Sequence, residues 1–251
     1  MSIKDNIAIV QQQLKQAAVQ SGRTPEDIRL IAVSKTKSTE MILQALATGQ
    51  ISFGENRVQE ALGKIEALTE NPLVEWHLIG HLQKNKVKFC PGNFQWIHTL
   101  DSTELAEKLE ARSAFAQKKI NVLLQVNLSQ EITKSGLHDW EDILKVSETI
   151  LSGKWLKLRG LMTIPAPNMG ETPTRKIYEK LRVWRDKLQQ ELDSTEIILV
   201  VTSPTPIDGG DHPSDDSTPP ASWAVSPDPL AAAHAAGYSL AGQTQQLDMS
   251  S

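Results

Sequence analysis

The chain is poor in the residues that announce simple chemistry. One cysteine, Cys90, stands in 251 residues, so no disulfide framework can form and a reducing compartment is the natural expectation. No apolar run approaches the roughly 20 residues that span a bilayer. The polar start MSIKDNIAIVQQQLKQ lacks the apolar core of a secretory signal. A soluble, cytoplasmic protein is expected. No GxGxxG, Walker or HExxH pattern occurs, which removes the common nucleotide and zinc-hydrolase readings. His77 and His81 are four apart, but they belong to a strand end and its loop rather than one helical face, so no metal site is expected.

Basic residues are missing from one end. After Lys187 there is no Lys or Arg, while nine acidic residues follow. The part through Lys187 holds 26 basic against 21 acidic residues, a net of +5, and the remainder carries −9. From Ser203 the periodicity goes too, and SPTPIDGGDHPSDDSTPPASWAVSPDP contains seven of the thirteen prolines. Proline removes backbone donors, and so little apolar surface cannot offset the entropy of ordering. Residues 1–202 are therefore expected to fold, and residues 203–251 to form a disordered tail rich in Pro, Asp and Ala.

What is present is a regular alternation. Seven strand-like runs, IRLIAVS, ISFGE, VEWHLIG, FQWIHTL, INVLLQVNL, LKLRGLMTI and TEIILVV, are separated by helical stretches. Apolar strands alternating with helices mean parallel βαβ units whose strands are buried on both faces. Seven strands suit an open doubly wound sheet or a (β/α)8 barrel one unit short.

In either fold, functional groups gather where strands reach their C-terminal edge. Those ends hold Ser34 and Lys35, Gly54 to Asn56, His77, Gly80 and His81, His98 and Thr99, Gln125 and Asn127, and Met162 and Thr163. A lysine among neutral polar groups at the lip of a buried strand suits imine chemistry. Partial desolvation disfavours the ammonium and presents a nucleophilic amine to an aldehyde. The plain alternative for Lys35 is a solvated surface charge. Lys84, Lys86 and Lys88 form a basic strip that reads as a solvated face, or as a lip that attracts an anion; without a stacking platform it is not read as a nucleic-acid surface.

Six motifs carry a resemblance. IAVSKTK, FGENRVQE, EWHLIGHLQKNK, HTLDS, LLQVNLSQEITKSG and LRGLMTIP, in that order, resemble the pyridoxal phosphate homeostasis family, known as YggS-like in bacteria and as proline synthetase co-transcribed homologue in animals. The resemblance implies a (β/α)8, TIM-barrel-like fold of the alanine racemase N-terminal type, with pyridoxal 5′-phosphate held as an internal aldimine on Lys35. It places Asn56 and Met162 along the cofactor and His81 on the same rim, without a chemical role. It implies intracellular cofactor homeostasis without catalytic turnover. The expected partners are the cofactor and the apoenzymes that use it, with no nucleic acid and no membrane, and the chain is expected to be a monomer. A racemase is the second reading. It would need a second base on the opposite face of the cofactor, commonly a tyrosine from another domain, and this chain has only Tyr178 and Tyr238.

The resemblance stops near residue 194. The family's closing elements, a strand with Ser-x-Gly-Met-Ser and a last strand with Arg-x-Gly, supply a phosphate cradle of backbone N–H groups. Here the stretch reads STEIILVVTSPTPIDGG and neither motif follows. The expectation is a barrel whose last β/α unit is missing or replaced, with two strand edges unpaired and cofactor binding weaker than in a complete member. A truncated, inactive product is the third reading.

Overall fold

Strands that are apolar on both faces need cover on both sides. The computed structural model of the chain describes residues 2–128, 135–166, 170–192, 197–202 and 243–248, and it meets that need with a closed barrel of eight parallel strands. They are β1 (Ile28–Val33), β2 (Ser52–Glu55), β3 (Glu75–Leu78), β4 (Trp96–Leu100), β5 (Ile120–Gln125), β6 (Leu156–Thr163), β7 (Ile198–Thr202) and β8 (Gln243–Asp248). The helices are α1 (Ile3–Gln20), α2 (Thr39–Leu46), α3 (Val58–Ala67), α4 (Thr103–Ala116), α5 (Trp140–Leu151) and α6 (Glu171–Glu191).

Local chemistry sets several of the helix starts. Ser2 and Asp5 exchange side-chain and backbone hydrogen bonds at the head of α1, the reciprocal arrangement that satisfies two otherwise orphaned N–H groups. Ser102 accepts from the Leu105 N–H ahead of α4, and Asp139 from the Asp142 N–H ahead of α5. Between α2 and β2 the chain turns at Gly49, whose φ of 90° is open to glycine at little cost.

Strand alternation divides the interior into two layers. Ala32, Phe53, Leu78, Ile97, Val122, Leu124, Leu161 and Leu199 face outward into one large cluster with Ile42, Ala61, Leu105, Leu109, Ile143 and Leu181 from the helices. The neighbouring positions turn inward, where Leu123, Met162 and Val200 pack with Trp96 and Ile198. The register of β6 against β5 shifts across Arg159, just before Gly160. A Cβ there would stand 2.0 Å from the Ile198 carbonyl oxygen, so the two backbones meet only because this residue has no side chain.

At the N-terminal end of the barrel a carboxylate ties four successive strands together. Glu75 on β3 accepts from Arg29 Nη1 at 2.8 Å, Ser52 Oγ at 3.1 Å and Trp96 Nε1 at 2.7 Å. Burial pushes its carboxyl up, but the His77 ring 3.4 Å away, the Trp96 N–H and the Arg29 charge outweigh that and hold it at about 2. On the outside, Glu110 of α4 accepts from the N–H groups of Lys154, Trp155 and Leu156 at 2.7–3.1 Å. That carboxylate fixes the connection leading into β6.

All seven expected strands form, and the barrel is of the expected type. The closing strand is the departure. Gln243–Asp248 pairs with β1 from Ile28↔Gln243 to Val33↔Asp248, and with β7 from Val200↔Thr244 to Thr202↔Gln246. These residues belong to the stretch expected to be disordered, so that expectation fails for them; residues 203–242 and 249–251 lie outside the described residues. The last unit is thus replaced rather than absent, and β1 and β7 are both paired. The physical reason is the free edge: each of these strands would otherwise present an unpaired row of N–H and C=O groups.

Candidate functional site

Lys35 follows β1 directly. The Ser34 N–H donates to the Gly54 carbonyl at 2.8 Å, which carries the ladder one residue past the strand. Along β1 alternation gives Ile31 and Val33 the inner face, and Lys35 continues that parity at the C-terminal rim. Its neighbours differ sharply in exposure: Ser34 is buried, Lys35 half-buried and Thr36 exposed. Thr36 has a φ of 63°, a left-handed conformation that a β-branched residue rarely adopts.

Beneath the Lys35 backbone lies a buried charged cluster. Lys64 of α3 donates from its Nζ to the Ser34 carbonyl at 2.6 Å, to Glu55 Oε1 at 2.8 Å and to Glu60 Oε1 at 2.8 Å. Ser34 Oγ donates to Glu55 Oε1 at 2.6 Å, and the Thr36 N–H donates to Glu60 Oε1 at 2.5 Å. Burial pushes the Glu55 carboxyl up, and the hydrogen bonds from Lys64 and Ser34 offset this only in part. Glu60 is also raised by burial, but hydrogen bonds from Lys64 and the Thr36 N–H carry it below its ordinary value. One ammonium therefore serves two carboxylates of unlike proton affinity, and Glu60 is the one that holds its charge more firmly.

The other expected residues also lie at strand ends. Asn56 follows β2 and is exposed. Its backbone presses on Gly80, where a Cβ would lie 2.2 Å from the Asn56 carbonyl oxygen. The Gly80 carbonyl in turn accepts from Thr99 Oγ1 at 2.8 Å. His81 is exposed, with Nδ1 3.9 Å from Asp101 Oδ2. Met162 is buried within the inner apolar cluster, at the β6 end. The structure thus brings Lys35, Asn56 and His81 to the ends of three successive strands, and holds Met162, the last residue but one of β6, in the inner apolar cluster. Gln125 and Asn127, the other rim amides, follow one another at the end of β5; residues 129–134 of that motif lie outside the described residues.

Two rim candidates belong elsewhere. His77 and His98 are buried inside the barrel, His77 Nδ1 lying 2.9 Å from His98 Nε2 and the His77 ring stacked on Trp96. Burial lowers the proton affinity of both, and the second charge that His77 would add lowers His98 further. The two rings share one hydrogen bond, in which one nitrogen donates and the other accepts. Tyr178 is buried in the outer layer with the helices, where burial raises its phenol well above the ordinary range. It offers no base to the rim. Burial likewise pushes the Cys90 thiol up to about 12, so it behaves as a small apolar group. No group of three or more His, Cys, Asp or Glu able to hold a metal occurs among the described residues. Lys84 and Lys88 of the basic strip face an outer groove of about 590 Å³ shared with Lys108, Arg112 and Phe115 of α4.

A parallel barrel with a half-buried lysine at the end of β1 has close relatives. Residues 2–214 match the family described as alanine racemase, N-terminal domain. The pyridoxal phosphate homeostasis protein of Pasteurella multocida is 38% identical over 198 residues, covering 78% of this chain and 84% of its own. The chain belongs to this pyridoxal phosphate homeostasis family. The corresponding protein of Vibrio alginolyticus is 37% identical over 200 residues, 78% of this chain and 85% of its own. Among solved structures, PipY of Synechococcus elongatus with pyridoxal phosphate bound superposes with a TM-score of 0.71 at 28% identity, over 94% of this chain and 97% of its own. An alanine racemase of Clostridium difficile, 18% identical with a TM-score of 0.62, shares the fold over 80% of this chain and 51% of its own.

Strand-end reasoning found Lys35, Ser34 and Glu55 but missed Lys64. Its signal was present as the Glu60–Lys64 spacing of four on α3. That spacing ordinarily marks a solvated helix face, and nothing in the pattern says that α3 lays Lys64 against the end of β1.

Proposed function

We propose that this chain binds pyridoxal 5′-phosphate at the C-terminal rim of the barrel, attached through Lys35, and serves intracellular cofactor homeostasis without catalytic turnover. The carrying observation is the half-buried Lys35 at the end of β1, in a fold shared with a relative solved with this cofactor bound. The residues fit the group on two counts. An amine stands at the mouth of the barrel, and the inner cluster of Leu123, Met162 and Val200 gives an aromatic ring an apolar floor. Bound there, the cofactor supplies an aldehyde carbon that the Lys35 amine takes up with loss of water. Asn56 and His81 line the rim on the Lys35 side, and Met162 lines the floor.

The phosphate is held less firmly than in relatives with the family's closing motifs, since neither motif occurs after Thr202. The protein acts in the cytoplasm as a monomer and passes its cofactor to apoenzymes. No helix among the described residues is long and apolar enough to cross a membrane, which agrees with that setting. The test is visible absorption on adding pyridoxal phosphate, followed by borohydride reduction and peptide mapping, with Lys35→Ala alongside. A band fixed by reduction to the Lys35 peptide and missing in the variant is the expected result. A folded wild type with no band, or a band retained in Lys35→Ala, would overturn the proposal.

A further inference from the structure

The backbone on both sides of Lys35 is held by side chains of one helix. The carbonyl before it, of Ser34, accepts from Lys64 Nζ at 2.6 Å, and the N–H after it, of Thr36, donates to Glu60 at 2.5 Å. The same Lys64 ammonium bridges Glu60 to Glu55, and Glu55 accepts from Ser34 Oγ. Three charged side chains, Lys64, Glu60 and Glu55, therefore converge on Ser34 and Thr36, the residues on either side of Lys35. The peptide so held contains Thr36 at a φ of 63°, a conformation that persists only where surrounding contacts over-determine it.

We propose that Lys64 and Glu60 are positioning residues for Lys35: together they clamp the Ser34–Thr36 backbone so that the Lys35 amine leaves the strand in one direction, toward the barrel mouth. This rests on the proposed role of Lys35, and it adds how the amine is aimed. A purely structural ion pair would need only the buried Lys64–Glu55 contact. It would not need a second carboxylate on the Thr36 N–H, nor an ammonium bond to the carbonyl next to the functional lysine. The clamp acts through geometry. A loosely held amine samples directions that do not meet the aldehyde, and misplacement by about 1 Å costs a positioned group on the order of tenfold to a hundredfold.

Two variants separate the readings. Glu60→Ala removes the acceptor of the Thr36 N–H and leaves the buried Lys64–Glu55 pair intact. Lys64→Met combined with Glu55→Gln removes the bridge while leaving no unpaired buried charge. Three quantities are read: melting temperature, hydrogen exchange at the Thr36 amide of the cofactor-free protein, and the fraction of Lys35 fixed by borohydride at limiting pyridoxal phosphate. In both variants the melting temperature should stay within a few degrees of wild type and Lys35 capture should fall on the order of tenfold, while Thr36 exchange should quicken about tenfold or more in Glu60→Ala, the variant that removes its acceptor. Unchanged capture in Glu60→Ala would overturn the clamp, whatever Thr36 exchange or the double variant does. If wild type captures no cofactor, the proposed function fails. The positioning role then fails with it, and the exchange measurement shows whether Glu60 still holds the Thr36 N–H.

Discussion

Gly80→Ala tests whether the rim is held by backbone packing. A methyl group at residue 80 would lie 2.2 Å from the Asn56 carbonyl oxygen and 2.8 Å from its carbonyl carbon and Cα. Ordinary contacts begin near 3.4 Å, so one backbone must retreat by about 1 Å. Neither retreats freely. The Gly80 carbonyl is tied to Thr99 Oγ1 at 2.8 Å, and the Ile79 N–H to the Glu55 carbonyl at 2.9 Å. No flexible side-chain end is available to yield, which puts the cost at about 2–3 kcal/mol, the upper part of the range for overpacking. For a folded unit of this size that is a fall in melting temperature of about 5–10 °C. The displacement lands on Asn56, so Lys35 capture of pyridoxal phosphate should weaken by about tenfold as well. Gly63→Ala is the control, because a Cβ at this position in α3 meets nothing within 4 Å and alanine suits a helix interior better than glycine. Circular dichroism melts and borohydride capture of both variants check the reasoning. A Gly80→Ala protein that melts with wild type and captures the cofactor equally well would refute it.

The Glu75 hub predicts a pH signature. Its folded carboxyl lies at about 2 against an ordinary 4.5, so its stabilisation is fully present above about pH 4.5 and is lost as pH falls toward 2. Chemical unfolding between pH 6 and 3 should show stability falling in wild type and a flatter profile in Glu75→Gln; equal slopes would count against the hub. Glu110→Ala should strip the acceptor from three backbone N–H groups ahead of β6 and cost about 1–3 kcal/mol, read as a lower denaturant midpoint with unchanged slope. A loss below a few tenths of a kcal/mol would mean water replaces the carboxylate there.

Much of this architecture was legible along the chain because its signals are local. Buried strands read as β-branched apolar runs, and helix starts carry Ser or Asp caps such as Ser102 and Asp139. Strand ends in a parallel fold point to one rim, which is why Lys35, Asn56 and His81 could be picked out together. The same rule placed His77 and His98 at that rim, whereas they sit inside the barrel. Both imidazoles belong to strand residues whose inward parity matters more than their nearness to an end.

By itself the sequence determined the alternation of strand and helix, the lysine that ends the first strand, and the family to which they belong. Each of these rests on residues adjacent or a turn apart. Tertiary structure decided the rest. Lys64 became a partner of the Ser34 carbonyl only when α3 packed on β1 and β2, thirty residues away in the chain. Gly80 became indispensable only when two loops met backbone to backbone. The eighth strand, QTQQLD, has almost no apolar pattern to announce it. It is a strand because β1 and β7 each offer an open edge, and unpaired backbone groups are satisfied by the chain that can reach them.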